Sequence, residues 1–286
     1  MTTSSLLPLL VILISCAPKR TTTADVTPAD SLKPVPPAVN EAIQHEFPGA
    51  LPYATAIDSI LARLARAGIS SEDILWGQST CVDDITNTKN KIVHPEIKGP
   101  FIFGGLAGLP FTGITGTVAF AHHVPHGGTA VLFLGPHIGY STDDGWGKIH
   151  RHGQDHASTC CGALHAALDK LRQHTIHLAT PSEEDYQEQT IEQLALAHQD
   201  EILSAKEPLV QFTRIVHSEA EKRMTYYASK VKSRDFAYGV VLVGVIINTD
   251  SAFNDYLWID HFAIIDIENE RWLNDLQDMK AETSSH

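Results

Sequence analysis

Short β-prone apolar runs alternate along this chain with stretches whose apolar residues recur at helical spacing, and that alternation limits the fold more than any other feature. Ala54 to Ala67 carries Ile57, Ile60, Leu61 and Leu64 three or four residues apart and stops at Gly68, a residue suited to closing a helix. Ile74-Leu75-Trp76-Gly77 then reads as a strand or turn that delivers the polar loop Ser79 to Asp84. The segment 104–111 is too glycine-rich for a regular element, and Thr117 to His123 predicts a short helix. Thr129 to Leu134 reads as a buried strand with His137 at its exit. Helical spacing returns from Ser158 to Leu171, with Ser158 or Thr159 as N-cap, and again over about 184–204 and 208–231. Tyr238 to Ile247 and Tyr256 to Ile267 predict two strands, and Glu270 to Lys280 a closing helix. The expected class is α/β, a central, mostly parallel sheet flanked by helices.

From about residue 46 no repeat or second linker interrupts the 286-residue chain, so 46–286 is expected to form a single domain. With 21 basic against 34 acidic residues the formal charge is −13, which repels phosphate backbones and predicts no nucleic-acid partner. No apolar stretch approaches the ~18 residues needed to span a bilayer, so the body is expected to be soluble. The amino terminus differs. Leu6 to Ile14 has the length of a signal-peptide core, although Met1 to Ser5 lacks Lys and Arg. Leu13-Ile14-Ser15-Cys16 resembles a bacterial lipobox, which predicts a signal peptide over 1–15 and a lipidated Cys16. Residues 16–45, rich in Thr and Pro, then form a flexible tether. Membrane contact through this lipid only, in a bacterial cell envelope, is the expectation. Ala17 rather than Asp after the cysteine suggests the outer membrane or the periplasmic face.

Beyond Cys16 the chain has Cys81, Cys160 and Cys161, an odd number that excludes a complete disulfide framework. One bridge from Cys81 to either member of the pair, with a spare thiol, would make a disulfide-bonded structural lipoprotein. The competing reading is metal. Cys81 follows a predicted strand, His137 ends another and Cys161 falls in the first turn of a predicted helix; in open α/β sheets such ends converge on the ligand crevice.

Five ordered motifs carry a resemblance: Phe103 to Gly113 (FGGLAGLPFTG), Ala121-His122-His123-Val124-Pro125, Gly135-Pro136-His137-Ile138-Gly139, Ser158-Thr159-Cys160-Cys161-Gly162 and Gly244 to Thr249 (GVIINT). Over about residues 50 to 266 the chain resembles the limiting-CO2-inducible B/C proteins, called theta-type carbonic anhydrases. The resemblance implies a fold similar to beta-type carbonic anhydrases, a homodimer, and Zn2+ held by two cysteines and one histidine. Residue by residue, it implies Cys81, His137 and Cys161 as metal ligands, with Cys160 the alternative to Cys161. Asp83 matches the aspartate of a Cys-x-Asp pattern. Beta-type enzymes place an arginine two residues further on, where this chain has Ile85, so the cationic partner must come from elsewhere; Arg151 is the candidate.

The implied activity is that of a carbonic anhydrase, a lyase: reversible hydration of CO2 to bicarbonate by a zinc-bound hydroxide that Asp83 orients and Arg151 supports. Without its partner, Asp83 would ligate the metal and leave a catalytically silent zinc or bicarbonate-binding homologue. Proton export needs a group titrating near neutrality. His122, His123, His152 and His156 lie in the motif region, where hydrogen-bonded structural roles are the commoner use. The glycines of 104–113 are expected to serve the backbone rather than an anion.

Overall fold

Val35, Val39, Ile43 and Phe47 recur every four residues and are all buried, Val39 and Ile43 on helix α1 (Pro37–Glu46) and the other two just outside its ends. Pro37 at its first turn lacks only an N–H that a helix start leaves unpaired anyway. The computed structural model describes residues 32–88, 95–177, 182–231, 235–267 and 271–274, and the described residues from Lys33 on form one compact unit. Residues 33–45, expected in the tether, therefore belong to the folded body; average composition hid a four-residue apolar period. The expected signal peptide, Cys16 and the first half of the expected tether lie outside the described residues.

After β1 (Leu51–Pro52) comes α2 (Tyr53–Arg66), ending at Gly68 with φ +81° much as its spacing predicts. Then follow β2 (Ile74–Thr80), the single turn α3 (Ile85–Thr88), β3 (Lys98–Ile102), α4 (Gly113–His123), β4 (Thr129–Gly135) and β5 (His137–Ser141). Three two-residue strands, β6 (Gly145–Trp146), β7 (Lys148–Ile149) and β8 (Ser158–Thr159), lead into α5 (Gly162–Arg172). Helices α6 (Tyr186–Ala197), α7 (Gln199–Ser204) and α8 (Pro208–Ala228) precede β9 (Tyr238–Thr249), β10 (Tyr256–Asp266) and β11 (Arg271–Asn274). Among the described residues no helix is long and apolar enough to cross a membrane.

The sheet runs β1-β10-β9-β4-β2-β3, with β9, β4, β2 and β3 parallel and β10 antiparallel to β9. One face packs Val131, Phe133, Val240 and Leu242 under Ile57, Ile60 and Leu64 of α2. The other sets Ala130, Leu134 and Val243 against Phe120 of α4 and Met224 of α8. Burial on both faces is why these strands read as unbroken apolar runs. Each fully buried side chain such as Ile60 contributes about 1.5–3 kcal/mol.

Two expected elements change. Ser158 and Thr159 do not cap a helix; they pair with Lys148 and Ile149, and α5 starts later with Cys161 at its N-cap. The start of the expected helix at 270–280 is instead strand, with Trp272 opposite Ile265 and Arg271 opposite Asp266. On its outer edge β10 is paired by β1 at one end and β11 at the other, satisfying backbone groups that a helix there would leave open. Residues 275–280 lie outside the described residues.

Candidate metal and active site

Strand β2 gives way to a turn because the glycine segment takes over its neighbours. Phe103 N–H donates to Gln78 O, Ser79 Oγ–H to Gly108 O and Val82 N–H to Gly105 O, at 2.8, 2.8 and 3.2 Å. A Cβ on Gly104 would lie 2.0 Å from the Thr80 carbonyl oxygen, so only glycine lets the two backbones meet. Cys81 is thereby held at the carboxyl end of the strand. The glycines serve the backbone, as expected.

His137 reaches the same edge by a different route. Leu134 pairs with Val243 and His137 with Ile246, so Gly135-Pro136 interrupts the strand without shifting its register on β9. Asn248, two residues beyond Ile246, shares His137's face of the sheet. The third arm is Cys160-Cys161, joined by a cis peptide bond. Cys160 is fixed through its backbone, accepting from Gly139 N–H and donating to Gly147 O, each at 2.9 Å. A Cβ on Gly139 would sit 2.8 Å from Cys160 Cβ, which accounts for the second glycine of the Gly-Pro-His-Ile-Gly motif.

These arms converge. Cys81 Sγ and Cys161 Sγ lie 3.7 Å apart, and one donor atom each from Cys81, His137 and Cys161 falls within 4.8 Å of the others. Cys81, Cys160 and Cys161 are all free thiols, so the bridge of the structural-lipoprotein reading is not formed. The Nδ1 atom of His137 is 2.8 Å from Asn248 Oδ1, whereas its buried Nε2 has no hydrogen-bond partner. An orphaned imidazole nitrogen beside two sulfurs is a donor set that fits zinc, which takes thiolate and imidazole ligands and, in catalytic sites, only three from the protein. Asp83, His137 and Cys160 form a second group within the same distance. Cys160 Sγ, however, lies 3.5 Å from Nδ1, the nitrogen already engaged by Asn248.

The shared hydrogen bond with Cys161 and then burial push the Cys81 thiol pKa up, and burial does the same for Cys160. Metal binding must therefore displace protons from sulfurs that otherwise hold them.

Asp83 and Arg151 meet as the sequence suggested. Arg151 Nη2 donates to both oxygens of Asp83 at 2.9 Å, its Nη1 to Asp84, and its Nε to Ser158 Oγ at 2.9 Å. Asp83 Oδ2 stands 4.0 Å from His137 Nε2. Burial pushes the Asp83 carboxyl up, but His137, a hydrogen bond with Asp84 and the Arg151 guanidinium together hold it below the ordinary value. Ile85, at the position where beta-type enzymes carry arginine, packs with Ile149 and Cys160 in a small apolar cluster. Among the histidines weighed as proton carriers, His122 and His123 occupy the last turn of α4, and His152 and His156 are exposed between β7 and β8. Sequence reading missed Asn248 and Asp255, which stand behind His137; the only local signal was an asparagine inside the GVIINT motif.

Similar proteins share this arrangement of the chain. The family described as limiting CO2-inducible proteins B/C beta carbonic anhydrases matches residues 50–266. The crystal structure of PtLCIB4, described as a homolog of the limiting CO2-inducible protein LCIB, is 27% identical with a TM-score of 0.74, over 82% of this chain and 99% of its own. That of LCIB is 17% identical with a TM-score of 0.60, over 80% and 96%, a likeness of fold alone. None of the curated proteins matches the chain.

Proposed function

Because the chain belongs to the limiting CO2-inducible B/C family of beta carbonic anhydrases, we propose that it binds zinc through Cys81, His137 and Cys161 and interconverts CO2 and bicarbonate. The observation that carries an active rather than a silent reading is the Arg151 fork on Asp83: with both oxygens gripped at 2.9 Å, the carboxylate is kept ionised and held beside the metal position rather than on it. Zinc supplies a Lewis acid that lowers the pKa of its water towards ~7. Asp83, gripped by Arg151, would accept a hydrogen bond from the attacking oxygen and orient it towards the carbon of CO2. The lipobox at Leu13 to Cys16 supports a further proposal, that acyl chains on Cys16 tether this domain to a bacterial envelope membrane.

The silent reading has one observation in its favour, the 4.0 Å between Asp83 Oδ2 and His137 Nε2, which puts the carboxylate within a short rotation of the metal position. Zinc analysis with stopped-flow CO2 hydration on wild type and Asp83→Asn decides. One zinc per chain with CO2 hydration that falls ~10²-fold or more in Asp83→Asn supports the enzyme. Inactive wild type that gains activity in Asp83→Asn establishes the silent reading, and wild type without zinc refutes both.

A further inference from the structure

Behind His137 lies a chain of buried polar groups that the catalytic reading leaves unused. Asp255, 2% exposed, sits just before β10. Its Oδ1 accepts from Thr249 N–H at 2.8 Å, and its Oδ2 accepts from Asn248 Nδ2 at 2.7 Å. Asn248 is fully buried on β9, and its Oδ1 lies 2.8 Å from His137 Nδ1 and 3.5 Å from Cys160 Sγ.

The directions of these bonds follow from what each group can do. A backbone N–H only donates, so Asp255 is anchored as an acceptor. An amide facing that carboxylate must present its NH2 group, because its oxygen would meet another oxygen at 2.7 Å. That leaves the Asn248 oxygen turned to His137, and an amide oxygen only accepts. In the neutral ring that a metal would bind, Nδ1 therefore carries the proton and the lone pair falls on Nε2, the atom that has no protein partner. Cys160 S–H donates to the same amide oxygen, which uses its second lone pair and keeps that sulfur on the far side of the ring.

We infer that Asn248 and Asp255 are positioning residues that set the tautomer and orientation of His137, so that Nε2 is delivered to the metal alongside Cys81 and Cys161. The inference rests on the reading of those three residues as ligands. Metal-bound histidines commonly donate their other N–H to a carboxylate or carbonyl, and loss of such a partner typically weakens metal affinity about 10–100-fold. Here the carboxylate acts one group removed, through an amide that it holds in one orientation.

The test uses full-length protein, with zinc affinity measured by chelator competition and 15N-histidine NMR of the zinc-loaded form. Asn248→Leu keeps the branched shape and removes the acceptor; affinity is expected to fall about 10–100-fold, with loss of the slowly exchanging Nδ1–H signal of His137. The exchanged pair Asn248→Asp with Asp255→Asn rebuilds an alternating chain, the new amide donating to the new carboxylate, which accepts from Nδ1–H. It is expected to return affinity and signal towards wild type, a rescue that a merely space-filling role would not give. If Asn248→Leu fails to fold, Asp255→Asn alone should weaken affinity and broaden that signal, because the amide is no longer held in one orientation. Wild-type affinity in Asn248→Leu, or zinc bound through Nδ1, overturns the inference while leaving the ligand assignment standing. Wild type that takes up no zinc overturns the ligand assignment itself.

Discussion

Arg151→Ala should leave zinc in place and remove most CO2 hydration, and the structure supplies the scale of both effects. Arg151 touches none of the three proposed ligands; its contacts go to Asp83, Asp84 and Ser158. Without the fork, Asp83 loses the partner that holds it off the metal position. With Asp83 Oδ2 already 4.0 Å from His137 Nε2, the released carboxylate would be near enough to join the ligand set of a bound metal. Losing one preorganised electrostatic partner costs ~10²-fold or more in rate, about 2.7 kcal/mol.

The stability cost should be smaller. Both side chains are 16% exposed, between a surface pair worth about 0–1 kcal/mol and a fully buried one whose disruption costs about 3–5 kcal/mol. About 1–2 kcal/mol in urea unfolding is the expectation, too little to abolish folding. Arg151→Lys should not restore activity, since a point charge cannot grip two carboxylate oxygens and Ser158 together. In Arg151→Ala/Asp83→Asn the rate should be little worse than in either single variant, because the pair acts as a unit. Wild-type kcat/KM in zinc-replete Arg151→Ala would refute the reasoning.

Cys81→Ser, His137→Ala and Cys161→Ser should each sharply reduce zinc content by mass analysis, while Cys160→Ser retains it; zinc loss in Cys160→Ser with none in Cys161→Ser would reverse the assignment. Palmitate labelling should follow the wild-type protein in a bacterial host and vanish in Cys16→Ala; unlabelled, freely released wild type removes the lipoprotein proposal. His217 gives a pH dependence of stability. Burial lowers its pKa, with His261 acting in the same direction, and outweighs the opposing pull of Asp260 and Glu221, so below its unfolded value of ~6.5 the unfolded chain binds the proton more readily and the fold loses stability as pH falls. Chemical denaturation from pH 8 to 5 should therefore show a shallower acid loss in His217→Gln than in wild type; parallel curves would contradict this.

Local pattern was legible where it had a period. Ile57, Ile60 and Leu64 mark α2, and the apolar runs of β4, β9 and β10 mark strands buried on both faces. Misreadings arose where a distant partner decides the outcome. Ser158 and Thr159 have good capping side chains, but Lys148 and Ile149 offer a ladder that no local rule foresees. Trp272 sits in a sequence that tolerates a helix, yet the unpaired edge of β10 recruits it as a strand. The site divides similarly. Cys81, His137 and Cys161 were visible as chemistry at expected element ends, and Arg151 as a charge that Asp83 needs. Asn248 and Asp255 were not visible, because an asparagine in a strand gives no sign of a histidine 111 residues away.

Three cysteines in a crevice invite another chemistry, with one of them as a nucleophile, and the structure argues against it. A reactive cysteine needs a lowered pKa and access to its target. Cys81, Cys160 and Cys161 are 3, 0 and 1% exposed, and the thiols of Cys81 and Cys160 are pushed up rather than down. Cys161, at the N-cap of α5, has its sulfur 3.7 Å from Cys81 Sγ. Two sulfurs so placed, with an imidazole lone pair beside them, meet no organic electrophile without opening the fold. They suit a small cation, whose binding would give the buried Nε2 a partner and join the two packed sulfurs, at the cost of the protons that the thiols must release. The same burial that disqualifies these cysteines as nucleophiles would make them tight ligands, since the strand ends, the Gly104 contact and the α5 cap already hold them in place before a metal arrives.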